Sequence, residues 1–287
     1  MLLDSSHLTL QSLLFVPGDR PERFDKALAS NAHVVCIDLE DAVGPERKSL
    51  ARQSTLDCLD RCSSDRLAVR INRVTTQQGL RDILSLCEAR VQPRLLLLPK
   101  VESVVELEIV TEAFKSAQIG LIPLIESVKG LREVATISAA RACVALMFGG
   151  HDFAGELGVA MEWEPMLLAR LTIVQACAAA GVAAIDAPSL EIQDEKALEE
   201  EARRCKALGF TAKAAIHPAQ IPLLNRVFQP TDQEIAEAQD AINVFHSTEG
   251  SAAQFRGRLL DKPMMRRYEL ILARAKGART TRSDPHN

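Results

Sequence analysis

Aromatic side chains are scarce in this 287-residue chain, at 4% with one Trp and one Tyr, and no apolar run reaches the roughly 18 residues that a membrane span needs. The seven cysteines form no CxxC pair and fall mostly inside apolar stretches, which points to free buried thiols in a reducing compartment rather than to a disulfide framework. Positive charge is not in excess. A formal net charge of −4 gives no reason to expect a nucleic-acid-binding surface, while leaving room for a local basic pocket that holds an anionic ligand. The opening MLLDSSHLTLQSLLFVPGDR carries an acidic Asp4 and lacks a basic leader ahead of an apolar core. Together these absences predict a cytoplasmic protein with neither a membrane nor a nucleic-acid partner.

What is present is a regular alternation. Short apolar runs recur as LLFV (13–16), VVCI (34–37), LAVRI (67–71), LLLL (95–98), IGLIPLI (119–125), CVALMF (143–148), VAAID (182–186) and TAKAAI (211–216). Runs that are apolar throughout suit strands covered on both faces, as in parallel sheets. Helix-like segments lie between them, several opening on Pro or Ser and closing near Gly or Asn. Eight such pairs predict a (β/α)8 TIM barrel over residues 1–228 rather than an open doubly wound sheet. The residues closing the strands, Pro17, Glu40, Asn72, Lys100, Glu126, Asp152, Asp186 and His217, stand between about 23 and 34 residues apart, the length of one strand, one helix and two loops. In this fold that end of the strands carries the active site. Residues 229–287 read as a C-terminal helical extension, a lid or oligomer arm, whose closing GARTTRSDPHN reads as a disordered tail.

Chemistry concentrates at those strand ends. Glu126 and Asp152 follow consecutive strands, so their carboxylates should converge over the barrel mouth. Two carboxylates without a His or Cys pair suit a hard, oxygen-loving ion such as Mg2+, completed by water and substrate oxygens. The competing reading is that each merely caps the next helix. Gly149 and Gly150 precede Asp152 and would let substrate come close. Arg70, in LAVRIN, is a charged fork among apolar residues and needs an anionic partner, either a substrate carboxylate or an internal salt bridge to Glu40 or Asp41. Asp38, Glu40 and Asp41 crowd the end of the second strand and need Lys100, Arg70, a metal-bound water or His217 to offset their repulsion. Glu40, Asp41 and Lys100 are therefore expected as supporting groups around the metal or its waters, with a structural ion-pair network as the alternative. Lys100 is a poor Schiff-base candidate, because acidic surroundings raise an amine's pKa. Arg20, Arg23 and Lys213, near the first and eighth strands, are placed to meet phosphates or to form surface salt bridges.

The strings FVPGDRPERFDKALAS, IDLEDAVGPERK, VRIN, LLPKVES, PLIES, MFGGHDFAGELG, AIDAPSLEIQD, KAAIHPAQI and GRLLDKP resemble, in unbroken order from about residue 13 to 275, the citrate lyase beta-subunit-like proteins. That group sits in a wider superfamily with malyl-CoA and citramalyl-CoA lyases. The resemblance implies a Mg2+-dependent barrel, usually a trimer or hexamer, that breaks or forms a carbon–carbon bond in a 3-hydroxy acyl-CoA thioester. It implies Glu126 and Asp152 as metal ligands, Arg70 on substrate oxygens, and Arg20, Arg23 and Lys213 as candidate CoA contacts. Asp261, in GRLLDKP, would be an acid/base that reaches a neighbouring subunit's site. Gly150-His151 and the Trp163 of MEWEPM depart from the common pattern and bear on the acyl substrate. Citramalyl-CoA is favoured over malyl-CoA, because small apolar residues and Trp163 suit a methyl. The alternatives are a citryl thioester lyase subunit of a citrate lyase complex, a class II 2-oxo acid aldolase, and a non-catalytic acyl-CoA binding protein.

Overall fold

The computed structural model describes residues 10–62, 64–114, 119–248 and 252–280. Eight parallel strands close a barrel in sequence order. They are β1 (Ser12–Pro17), β2 (Val34–Asp38), β3 (Leu67–Arg70), β4 (Leu95–Leu98), β5 (Gly120–Ile125), β6 (Ala145–Phe148), β7 (Ala183–Asp186) and β8 (Ala212–Ala215). The crossovers carry α1 (Phe24–Leu28), α2 (Lys48–Arg61), α3 (Gln77–Cys87), α4 (Val104–Ala113), α5 (Val128–Arg132), α6 (Val134–Ser138), α7 (Gly150–Leu157), α8 (Trp163–Ala180) and α9 (Glu195–Leu208), and α10 (Ile221–Phe228) follows the last strand. The predicted (β/α)8 architecture is observed.

Strand alternation sorts the side chains into two apolar sets. Leu13, Val34, Cys36, Ala68, Leu97, Ile122, Leu124, Met147, Ile185, Ala212 and Ala214 fill the barrel interior. Their neighbours Leu14, Val35, Ile37, Val69, Leu96, Leu98, Ile125, Phe148, Ala184 and Ala215 pack against the helices. Each fully buried Leu or Ile contributes roughly 1.5–3 kcal/mol of transfer free energy. By the same parity Asp38, Arg70 and Glu126 continue the inward rows, whereas Asp186 and Lys213, register partners on β7 and β8, continue the outward rows.

The crossover helices begin where side chains cap them: Thr76, Ser103, Ser127 and Asp194 accept backbone N–H bonds at the starts of α3, α4, α5 and α9. One expected helix is broken, because SVKGLREVATISAAR divides into α5 and α6 at Glu133. Beyond the barrel, α11 (Asp232–Ser247) opens with a Thr231–Glu234 capping box. A hairpin of β9 (Ala253–Phe255) and β10 (Arg258–Leu260) then leads into α12 (Lys262–Thr280). Ala238, Ala241, Phe245, Leu260, Met265 and Tyr268 give this extension an apolar cluster of its own. Gly277 to Thr280 continue α12, contrary to the expected tail; the rest of that tail, with residues 1–9, lies outside the described residues.

Candidate active site

The barrel mouth is organised around one arginine. Asp38 ends β2 directly beside Arg70 at the end of β3, and it receives Arg70 Nε at 2.7 Å and Nη2 at 2.6 Å. This is a bidentate fork, buried at the Asp38 end. Asp38 also accepts the backbone N–H groups of Glu40 and Ala42, so a single carboxylate orients Arg70 and shapes the turn that carries Glu40 and Asp41. Arg70 lies over the Phe15 ring, 4.8 Å from its centroid. Burial opposes its charge, but Asp38 and then Glu40 outweigh that and hold the guanidinium firmly protonated.

Glu126 is 5% exposed, and Oε2 accepts the Lys100 backbone N–H at 2.6 Å. Its side chain occupies the space beside Gly149: a β-carbon built there would fall 2.1 Å from Glu126 Cγ, a distance no real pair tolerates. Lys100 turns its N–H toward Glu126 by adopting a left-handed φ of +53°, a conformation that costs an L-residue roughly 1–2 kcal/mol. Its ammonium bonds Glu40 Oε1 at 3.0 Å and lies 3.7 Å from Asp41 and 3.8 Å from Asp152. Glu40 Oε2 is buried without a hydrogen bond, although Arg70 Nη1 is 3.1 Å away.

The electrostatics record an excess of acid. Burial, followed by the charges of Glu40 and Asp152, pushes the Glu126 carboxyl up to about 8 against the pull of Arg70. Burial also raises Glu40, opposed by Arg70 and Lys100. Desolvation disfavours the Lys100 ammonium, yet its bond to Glu40 and the charges of Glu40, Asp41 and Asp152 hold it well above the usual lysine range. A stably protonated amine is not a nucleophile, in keeping with the sequence-based expectation.

The helix-cap alternatives find no support here. Gly149 occupies the N-cap position of α7 and Asp152 lies inside its first turn, while Ser127, not Glu126, caps α5. Asp152 is half exposed. The donor set fits a hard divalent ion: a buried glutamate with a raised pKa, an aspartate within reach of the same lysine, and an orphaned carboxylate oxygen on Glu40. Among the described residues no three His, Cys, Asp or Glu side chains form a ready-made metal cage. The protein thus offers carboxylates for part of a coordination shell and leaves the rest to water and substrate, as Mg2+ prefers.

Other predicted residues are placed differently. Lys213 is fully buried, with its ammonium committed to Asp186 Oδ2 and Ala187 O, both at 2.6 Å, and to Glu201 Oε1 at 3.0 Å. It faces the helix layer and has no donor left for CoA. Arg170, 2% exposed, completes this group through Asp186 Oδ1, and the two cations hold Asp186 down at about 2 despite its burial. Asn72 bonds Asp82 and Leu39 O, and His217 caps the turn at Pro218–Gln220. Arg20 and Arg23 are exposed beyond β1. Asp261 precedes α12, with Oδ1 buried and unbonded; among the described residues no hydrogen bond or ion pair joins it to Glu126, Asp152 or Arg70. Exposed His151 and half-buried Trp163 border a cavity of about 460 Å3. The Trp163 ring is covered by Arg204 at 3.9 Å and Arg170 at 4.7 Å. Sequence reasoning named Asp38 among the crowded acids and gave Arg70 a salt bridge to Glu40 or Asp41; the structure shows the Glu40 pair but makes Asp38 the bidentate partner.

The chain is a closed parallel (β/α)8 barrel whose mouth gathers carboxylates around one fixed arginine. It belongs to the HpcH/HpaI aldolase/citrate lyase family, whose model matches residues 11–218, and its relatives are carbon–carbon lyases. It is 36% identical over 270 residues to a citrate lyase subunit beta-like protein of Mycobacterium tuberculosis, covering 91% of this chain and 94% of that protein. It is 32% identical over 302 residues to an L-malyl-CoA/beta-methylmalyl-CoA lyase of Rhodobacter capsulatus, covering 93% and 94%. Among solved structures, M. tuberculosis CitE in complex with magnesium, acetoacetate and coenzyme A superposes with a TM-score of 0.80 at 33% identity, covering 94% of this chain and 99% of that one. RipC from Yersinia pestis gives 0.71 at 42% identity, covering 80% and 99%.

Proposed function

We propose that the protein is a Mg2+-dependent lyase that cleaves a 3-hydroxy acyl-CoA thioester to acetyl-CoA and a 2-oxo acid. The observation that carries this reading is the buried Glu126, pinned by the Lys100 N–H and the bare Gly149, facing further carboxylates beside a fixed arginine. Glu126 and Asp152 would hold the ion. When bound it supplies Lewis-acid stabilisation for the oxygen that gains negative charge as the bond breaks. Arg70, with Nε and Nη2 taken by Asp38, would turn Nη1, which lies 3.1 Å from Glu40 Oε2, to a substrate carboxylate or carbonyl oxygen. Glu40, Asp41 and Lys100 hold the surrounding charge and water.

Asp261, on the extension of a neighbouring copy, would protonate the departing acetyl-CoA carbon in the cleavage direction while the proton of the substrate 3-hydroxyl, released as its oxygen becomes the 2-oxo carbonyl, passes to water, and the reverse direction would move both protons back. The 63% exposure of nearby Leu259 supports an extension that meets a neighbouring subunit in a homotrimer or hexamer. Arg20 and Arg23 would meet CoA phosphates at the rim. Citramalyl-CoA comes first among substrates and malyl-CoA second. The inward residues Phe15 and Met147 are apolar, and a citryl thioester's extra carboxylate would need a cation beyond Arg70 and Lys100. No helix among the described residues is long and apolar enough to cross a membrane, which agrees with a cytoplasmic enzyme.

The test is release of acetyl-CoA and 2-oxo acid from citramalyl-CoA, malyl-CoA and citryl-CoA, with and without Mg2+, beside Asp152→Asn. Mg2+-dependent cleavage lost in the variant is the expected result. No cleavage of any thioester would overturn the reading in favour of a partner-dependent subunit or a binding protein.

A further inference from the structure

Lys100 has two independent connections to the mouth. Its main chain holds Glu126, and its side chain lies within 4.0 Å of Glu40, Asp41 and Asp152. Among the described residues Arg70 and Lys100 are the cations that pair with these carboxylates; Lys48, also close to Glu40 and Asp41, spends its ammonium on the main-chain oxygens of Leu39 and Glu40, and Arg70 is already matched by Asp38. Lys100 therefore carries the positive charge that is left to offset Glu40, Asp41, Glu126 and Asp152. It is one-third exposed, so its ammonium can shift without disturbing the core.

We propose that Lys100 balances the charge of the mouth: it contends with the divalent ion for Asp152, weakening metal binding, and in return lowers the repulsion that an anionic 2-oxo acid meets. The inference rests on the Mg2+ reading above. Its physical basis is sign alone. A unit positive charge a few ångströms from a divalent ion repels it, and the same charge attracts a carboxylate arriving at that ion. Removing it should move the two affinities in opposite directions. A residue that only shaped the site would weaken both.

The effect can be read without catalysis. Full-length protein stripped of metal by a chelator is titrated calorimetrically with MgCl2, then with pyruvate at saturating MgCl2, for the wild type, Lys100→Met and Lys100→Arg. Lys100→Met keeps the β-carbon, the length and the backbone N–H to Glu126 while losing the charge, and Lys100→Gln is a second neutral variant. Both should bind Mg2+ roughly tenfold more tightly and pyruvate roughly tenfold more weakly, with Lys100→Arg close to wild type in both. Unchanged or weaker Mg2+ binding in the neutral variants would overturn the inference, as would unchanged or tighter pyruvate binding. A wild type that binds no Mg2+ would instead overturn the reading of the site itself, and the inference with it.

Discussion

Two polar clusters sit at strand ends of the same barrel, and parity separates them. Arg170, Lys213, Asp186 and Glu201 lie between β7, β8 and the helix layer. Two cations meet two acids there, with every Lys213 donor used. Even the Cys205 thiol donates to Asp186 Oδ2 at 3.1 Å. The mouth cluster faces the barrel interior, holds more acid than base, leaves Glu40 Oε2 unbonded and lifts Glu126 to about 8. A balanced, satisfied network stabilises a fold; an unbalanced one, held rigid by Asp38, Gly149 and the Lys100 main chain, is arranged to receive charge from outside.

The sharpest way to break this comparison is Glu126→Gln. It should abolish Mg2+-dependent cleavage, by about 1,000-fold or more, with no loss of thermal stability, because it removes a buried carboxyl that resists ionisation. Unfolding of the variant on the scale expected for Asp186→Asn would erase the distinction. Asp186→Asn should do the reverse. Breaking a buried ion pair costs about 3–5 kcal/mol, so the melting temperature should fall by many degrees while the folded fraction keeps its turnover, measured per folded molecule. Gly149→Ala comes next. The new methyl must displace Glu126, and Mg2+ affinity by calorimetry should weaken roughly 10- to 100-fold.

The smallest effect is on pH. Glu126 is raised from 4.5 to about 8 in the fold, so between those values the folded protein keeps a proton that the unfolded chain has released. Stability from this group is present below about 4.5 and is lost as pH rises through 8. In chelator-treated protein, melting temperature should fall across that window. Saturating Mg2+ should flatten the slope, and Glu126→Gln should lack this component.

The barrel was legible because a parallel strand covered on both faces is apolar throughout, and LLLL or VVCI could be little else. That same property hid which strand-end polar groups face the interior. In IGLIPLIE, Ile122 and Leu124 lead inward to Glu126; in VAAID, Ala183 and Ile185 are the inward pair, so Asp186 points out. Both strings show only apolar residues before an acid, and without a polar face the parity is invisible. The role of Lys213 was lost for this reason. Glu126, Asp152 and Arg70 do lie together around Glu40 and Lys100, as strand ends of one barrel should. The fork from Arg70 to Asp38 needed the β2–β3 register, which no spacing in the chain reveals.

The interlock of Gly149 and Glu126 has a consequence for variation in this chain. The volume denied to a side chain at one position is the volume used by the other, so the two residues occupy a single slot. Substitutions there should be epistatic. The tightest contact is with Glu126 Cγ, which aspartate would keep, so only a side chain without that atom frees the slot; the Glu126→Ala/Gly149→Ala double variant should lose no more metal affinity than Glu126→Ala alone. A sequence library selected for metal retention should therefore hold glutamate at 126 and glycine at 149 together.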